Sequence, residues 1–179
     1  MQIAESERLI LREMVSSDAA FFCGLLNEPS WLQNIGDRGV RTPEDAERFI
    51  HDKIREAYKA HGFGMYVVES KQHRRPIGTC GLVRRETLPS ADLGFALLPE
   101  FWGQGFAFEA ASAVMAYAHE VLRLPPLLAI VSPQNSRSSR LLVKLGFEYQ
   151  RLIRLTPGSE ELKLYAAMER STSTTRPVS

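Results

Sequence analysis

The run Pro99–Ala111, PEFWGQGFAFEAA, most constrains what this chain can build. Before it, ADLGFALL reads as a strand. After it, the alanine-rich spacing predicts a helix from about Phe106 to Leu122. Gly103 and Gly105 stand where that helix begins. Glycine is disfavoured there unless the backbone must turn sharply or come close to something. The usual partner at a helix start is an anion, because free N–H groups and the positive end of the helix dipole converge on it. A tight strand–helix connection is the competing reading, and glycine spacing alone favours it.

The surrounding order of elements is that of an α/β sheet protein with a strand–turn–helix–strand unit at its centre. RLILRE (Arg8–Glu13) alternates as a strand. SSDAAFFCGLLN reads as a short helix capped by Ser16 or Ser17. TPEDAERFIHDKIREAYKAHG is the clearest helix: Thr42 caps, Pro43 opens, Gly62 stops, and Ala46, Phe49, Ile50, Ile54 and Ala57 form one stripe. GMYVVES, PIGTCGLV and ADLGFALL are strands, PPLLAIV is another, and NSRSSRLLVKLG is a helix. FEYQRLIRL and EELKLYAAM close the chain as an antiparallel pair. NEPSWLQNIGDRGV reads as a loop near a binding mouth. One domain is expected over residues 7–170, with a mobile tail at 171–179.

Composition narrows the partners. Lys+Arg number 22 against 21 Asp+Glu, a net charge of +1 that gives no electrostatic case for nucleic-acid binding. No apolar run of about 18 residues suggests a membrane span, and the N-terminus lacks a secretory pattern. Cys23 and Cys80 make no disulfide framework, which points to a reducing cytoplasm. His51, His61, His73 and His119 are spaced irregularly, so no metal is expected.

Three phosphate sites could use the Gly103–Ala107 turn. A dinucleotide fingerprint needs a glycine where Phe108 stands, and a triphosphate loop needs Gly-Lys-Ser/Thr. A diphosphate held only by backbone N–H groups needs small residues, which Gly103, Gly105 and Ala107 supply. A second segment, SPQNSRSSRLLVKLGF, adds Asn135, Ser138 and a Gly146-Phe147 ending. With Trp102-x-x-Gly105-x-Ala107 after Pro99, ERLILRE near the start and ADLGFALLPEFWGQG, the chain resembles the GNAT superfamily of acetyl-CoA-dependent N-acetyltransferases. The likeness runs from about Glu7 to Arg170 and is strongest to the branch that acetylates ribosomal-protein N-termini. Trp102 departs from the general Gln/Arg of that loop.

The resemblance implies a mixed, mostly antiparallel sheet of about seven strands, helices on both faces and splayed central strands. It implies acetyl-CoA as co-substrate and a primary amine as acceptor, either a protein N-terminus or a small molecule. Trp102, Gly103, Gln104, Gly105, Phe106 and Ala107 would hold the diphosphate. The backbone of Leu97 and Leu98 would hold the pantetheine arm, with Asn135 bonding the arm or capping its helix. Ser138 would donate to the departing sulfur, because the slot used by a tyrosine in many relatives holds Leu142. Asp92 is the candidate base, with Glu86 as the other choice. Glu109 reads as a carboxylate favoured by the helix dipole. Arg137 and Arg140 are candidates for the 3′-phosphate, and Trp31, Phe63 and Tyr165 for lining the acceptor site. Monomer and homodimer both remain open. So does a non-catalytic acyl-CoA sensor on the same scaffold.

Overall fold

Short polar turns join most of the strands, so most pair antiparallel. The computed structural model of the chain describes residues 1–168; the tail expected at 171–179 lies outside them. The strands are β1 (Gln2–Glu5), β2 (Leu9–Glu13), β3 (Met65–Ser70), β4 (Arg75–Val83), β5 (Asp92–Leu97), β6 (Leu128–Val131), β7 (Phe147–Ile153) and β8 (Leu162–Ala167). They form one sheet of eight, in the order β1-β2-β3-β4-β5-β6-β8-β7. Among the described strands, only β5 and β6 run parallel. Parallel neighbours need a crossover, and α5 (Phe106–Glu120) supplies it.

Five further α-helices lie among the described residues. They are α1 (Ala19–Leu26), α2 (Pro29–Asn34), α3 (Pro43–Phe49), α4 (Glu56–His61) and α6 (Ser136–Lys144). The middle of the sheet is buried on both faces, so its strands are apolar on both sides. In β3, Tyr66 and Val68 join Cys80, Leu93, Val114 and Phe147 in a core beneath α5. Val67, between them, joins Phe22, Leu25, Trp31 and Ile50 in a second core under α1 to α3. Helices therefore cover both faces, as the family resemblance implies.

Four local differences from the sequence reading have physical reasons. The helix expected from Thr42 to Gly62 begins and ends as read: Thr42 Oγ1 accepts from Asp45 N at 3.1 Å, and Gly62 has φ 76°. Its middle, Ile50–Arg55, is a π-helix. Ala46, Ile50 and Ile54 are buried and four residues apart, a spacing that drifts around an α-helix of about 3.6 residues per turn. The wider π turn offsets that drift. The first helix is anchored by Asp18 rather than by a serine: its Oδ2 accepts from Val15 N at 2.9 Å and from Arg12 at 2.8 Å. The segment read as a loop around Trp31 contains α2, whose six residues are too few to show a period. An eighth strand, β1, sits at the sheet edge, where a short stretch needs little apolar alternation.

Candidate active site

The turn that follows β5 is left-handed at both glycines, with φ 71° at Gly103 and 81° at Gly105. Side-chain-bearing residues adopt this region at a cost, so glycine is required by the backbone itself. A Cβ at Gly103 would meet nothing within 4 Å, whereas one at Gly105 would lie 3.3 Å from Arg8 Nη2. Close approach of a ligand is therefore not the immediate reason for Gly105; backbone shape and a protein neighbour are. Gly105 caps α5 without a side-chain bond, and the first helical bond is Glu109 N–H to its carbonyl at 3.0 Å. The N–H groups of Phe106, Ala107 and Phe108 precede that bond and have no helical acceptor.

Side chains around the turn point away from those N–H groups or brace the turn. Phe106 is buried against Phe101, so only its backbone is available to a ligand. Gln104 Nε2 donates to the Glu100 carbonyl at 2.9 Å. Trp102 Nε1 donates to the Leu97 carbonyl at 2.8 Å, and Arg137 lies over its ring with Cζ 4.2 Å from the centroid. Arg137, a candidate for the 3′-phosphate, thus spans from α6 to the turn.

Beside the turn, β5 and β6 share one pair, Asp92 with Leu128, and then part. Leu98 N–H donates to the Ile77 carbonyl at 2.9 Å, on the β4 side. Peptide groups alternate along an antiparallel ladder, so the N–H groups of Leu97 and Phe95 face the widening gap instead, while the Leu97 carbonyl is already bonded to Trp102. Of the two residues expected to hold a pantetheine arm, Leu98 has both backbone groups engaged: its N–H donates to the Ile77 carbonyl, and its carbonyl accepts from Phe101 N at 3.0 Å. Phe95 points its N–H toward the gap, which the sequence could not indicate because the direction of a strand amide depends on register.

Across the gap stands the start of α6. Asn135 Oδ1 accepts from Ser138 N at 3.1 Å, so Asn135 caps the helix. Ser138 is half-buried in the first turn, while Leu142 is fully buried in the core beneath α5. Arg140 is exposed on the same helix.

Asp92 lies at the head of β5, 2% exposed, with Oδ1 2.8 Å from Arg85 Nε. Burial pushes its carboxyl above the ordinary range, against the pull of Arg85. Alternation places Asp92 on the face opposite Leu93 and Leu97. Glu86 is exposed in the preceding loop. The three aromatic residues expected to line an acceptor site do not come together. Phe63 and Tyr165 pack into the core beneath α5, each 5% exposed, and Tyr165 meets Tyr149 edge-on. Trp31 lies in the other core, and its indole N–H is buried without a partner.

Sequence reasoning missed a brace on the turn. Glu109 accepts from Ser6 Oγ at 2.6 Å, from Arg8 N at 2.8 Å and from Arg8 Nε at 2.7 Å. Burial opposes its ionisation, but these bonds outweigh it and hold its carboxyl below the ordinary range. Among the described residues no group of three or more His, Cys, Asp or Glu could hold a metal ion, and no helix is long and apolar enough to cross a membrane.

The model for the acetyltransferase (GNAT) domain matches residues 8–148, and the chain belongs to that family. It is 31% identical over 159 residues to the uncharacterized N-acetyltransferase p20 of Bacillus licheniformis, covering 86% of each. It is also 31% identical over 88 residues, 48% of this chain and 44% of the relative, to the [ribosomal protein uS5]-alanine N-acetyltransferase of Escherichia coli (strain K12). In fold it matches RimL, the ribosomal L7/L12 alpha-N-protein acetyltransferase in complex with coenzyme A. That match has TM-score 0.79 at 18% identity and covers 94% of this chain and 98% of RimL. The chain is a GNAT acetyltransferase, from a family that moves acetyl groups to amines.

Proposed function

We propose that the protein transfers the acetyl group of acetyl-CoA to a primary amine by direct attack on the thioester. The observation that carries this reading is the gap between β5 and β6 opening beside the Gly103–Ala107 turn. A diphosphate suits that turn, because Gly103 faces open space and the first amides of α5 are unbonded. The amides of Phe95 and Leu97 suit an extended arm with peptide groups of its own, which would add to β5 as a strand does.

The remaining groups divide the chemistry between them. The amine nitrogen bonds to the carbonyl carbon, the carbon–sulfur bond breaks, and the electron pair leaves on sulfur. Ser138 donates a hydrogen bond to that sulfur from the start of α6, where the helix dipole also favours negative charge. Asp92 accepts the amine's proton, directly or through water. An α-amino group has a pKa of about 7.7–8.0, so a weak base suffices.

The acceptor is an α-amino group of a peptide or a small amine. The alanine acceptor named for the Escherichia coli relative motivates placing peptides first in the test. That test is thiol release from acetyl-CoA across N-terminal peptides, amino acids, polyamines and aminoglycosides. Release with at least one acceptor supports the transferase. Tight acetyl-CoA binding with no release from any amine supports the sensor instead.

A further inference from the structure

One side chain reaches nearly every part of the turn from outside it. Arg8 stands just before β2, and its Nε donates to Glu109 Oε2 at 2.7 Å. Its Nη1 donates to the Gln104 carbonyl at 2.9 Å. Its guanidinium lies over the Phe106 ring, with Cζ 4.3 Å from the centroid. Its Nη2 occupies the space beside Gly105.

Two consequences follow from elementary geometry and charge. In a trans peptide the carbonyl of one residue and the N–H of the next point in opposite directions. Holding the Gln104 carbonyl toward Arg8 therefore turns the Gly105 N–H the other way, out of the turn. A carbonyl left free to rotate toward an anion would repel it. Glu109 is also a negative charge in the first turn of α5, where an anion would bind. Arg8 pairs with that carboxylate and cancels most of its repulsion.

We propose that Arg8 is a positioning residue for the coenzyme diphosphate: it fixes the Gln104–Gly105 peptide in its anion-binding orientation while neutralising Glu109. The inference rests on the acetyl-CoA reading above. Its planar fork matters, because a lysine ammonium can reach Glu109 but cannot also hold the Gln104 carbonyl in the same geometry.

The test is calorimetric titration with CoA, alongside thermal unfolding, for wild type, Arg8→Ala, Arg8→Lys and Arg12→Ala. Arg12, within β2, pairs with Asp18 and Glu69, so its removal reports loss of ion pairs away from the turn. Expected are CoA affinity about tenfold weaker for Arg8→Ala, most of that loss retained in Arg8→Lys despite near-native unfolding, and wild-type affinity for Arg12→Ala. Wild-type affinity in Arg8→Ala, full recovery in Arg8→Lys, or an equal loss in Arg12→Ala overturns the inference. A wild-type protein that does not bind CoA overturns the acetyl-CoA reading and this inference with it.

Discussion

Alanine at Gly105 and alanine at Gly103 form a matched pair of perturbations. Both residues have positive φ, at 81° and 71°. Placing an L-residue in that region costs roughly 1–2 kcal/mol. If the free turn escapes the strain by changing shape, the whole penalty reappears when a ligand requires the original shape. Since about 1.4 kcal/mol is tenfold in affinity, each variant should bind CoA roughly 5- to 30-fold more weakly. At Gly103 that is the entire effect, because the new methyl meets nothing within 4 Å. At Gly105 the methyl also lies 3.3 Å from Arg8 Nη2, so the guanidinium must yield by a few tenths of an ångström. Gly105→Ala should therefore lose more affinity and more thermal stability than Gly103→Ala. Calorimetry with CoA and unfolding curves measure both. Wild-type affinity in both variants would refute the turn as the diphosphate site. A larger loss at Gly103 than at Gly105 would refute the Arg8 contact as a determinant of its shape.

Ser138→Ala should lower turnover about a hundredfold at unchanged CoA affinity; full activity removes its hydroxyl from the reaction. Asp92→Asn should move the rising limb of the activity–pH profile upward, toward the acceptor amine's own pKa, and an unmoved profile discards Asp92 as base. Glu109 has a folded pKa below its ordinary 4.5, so its contribution to stability is complete above that value and lost as pH falls through the folded pKa. The difference in unfolding temperature between wild type and Glu109→Gln should accordingly shrink on acidification below pH 4.5, and a constant difference refutes the assignment.

Local signals carried much of this fold in plain view. Thr42, Pro43 and Gly62 mark a helix because caps and stops act within a few residues, and the same holds for Asn135 on α6. The turn after β5 was legible for the same reason: its glycines answer to backbone dihedrals. Features that depend on distant pairing were not legible. The insertion of β8 between β6 and β7 is settled by sheet register. So is the choice of Phe95 over Leu98 as the amide facing the gap. The Arg8–Glu109 bond joins residues 101 apart in sequence, and nothing local to either one announces the other. Phe63 and Tyr165 show the converse limit, since an aromatic residue looks the same in sequence whether it lines a pocket or fills a core.

The lone rung between Asp92 and Leu128 makes the sheet two leaves on a common spine. Five strands belong to one leaf and three to the other. What lies across the crease is α5 and the Trp102–Arg137 stack, and these brace the angle between the leaves. Anything that stiffens or loosens those struts will be felt as a change in how wide the crease stands.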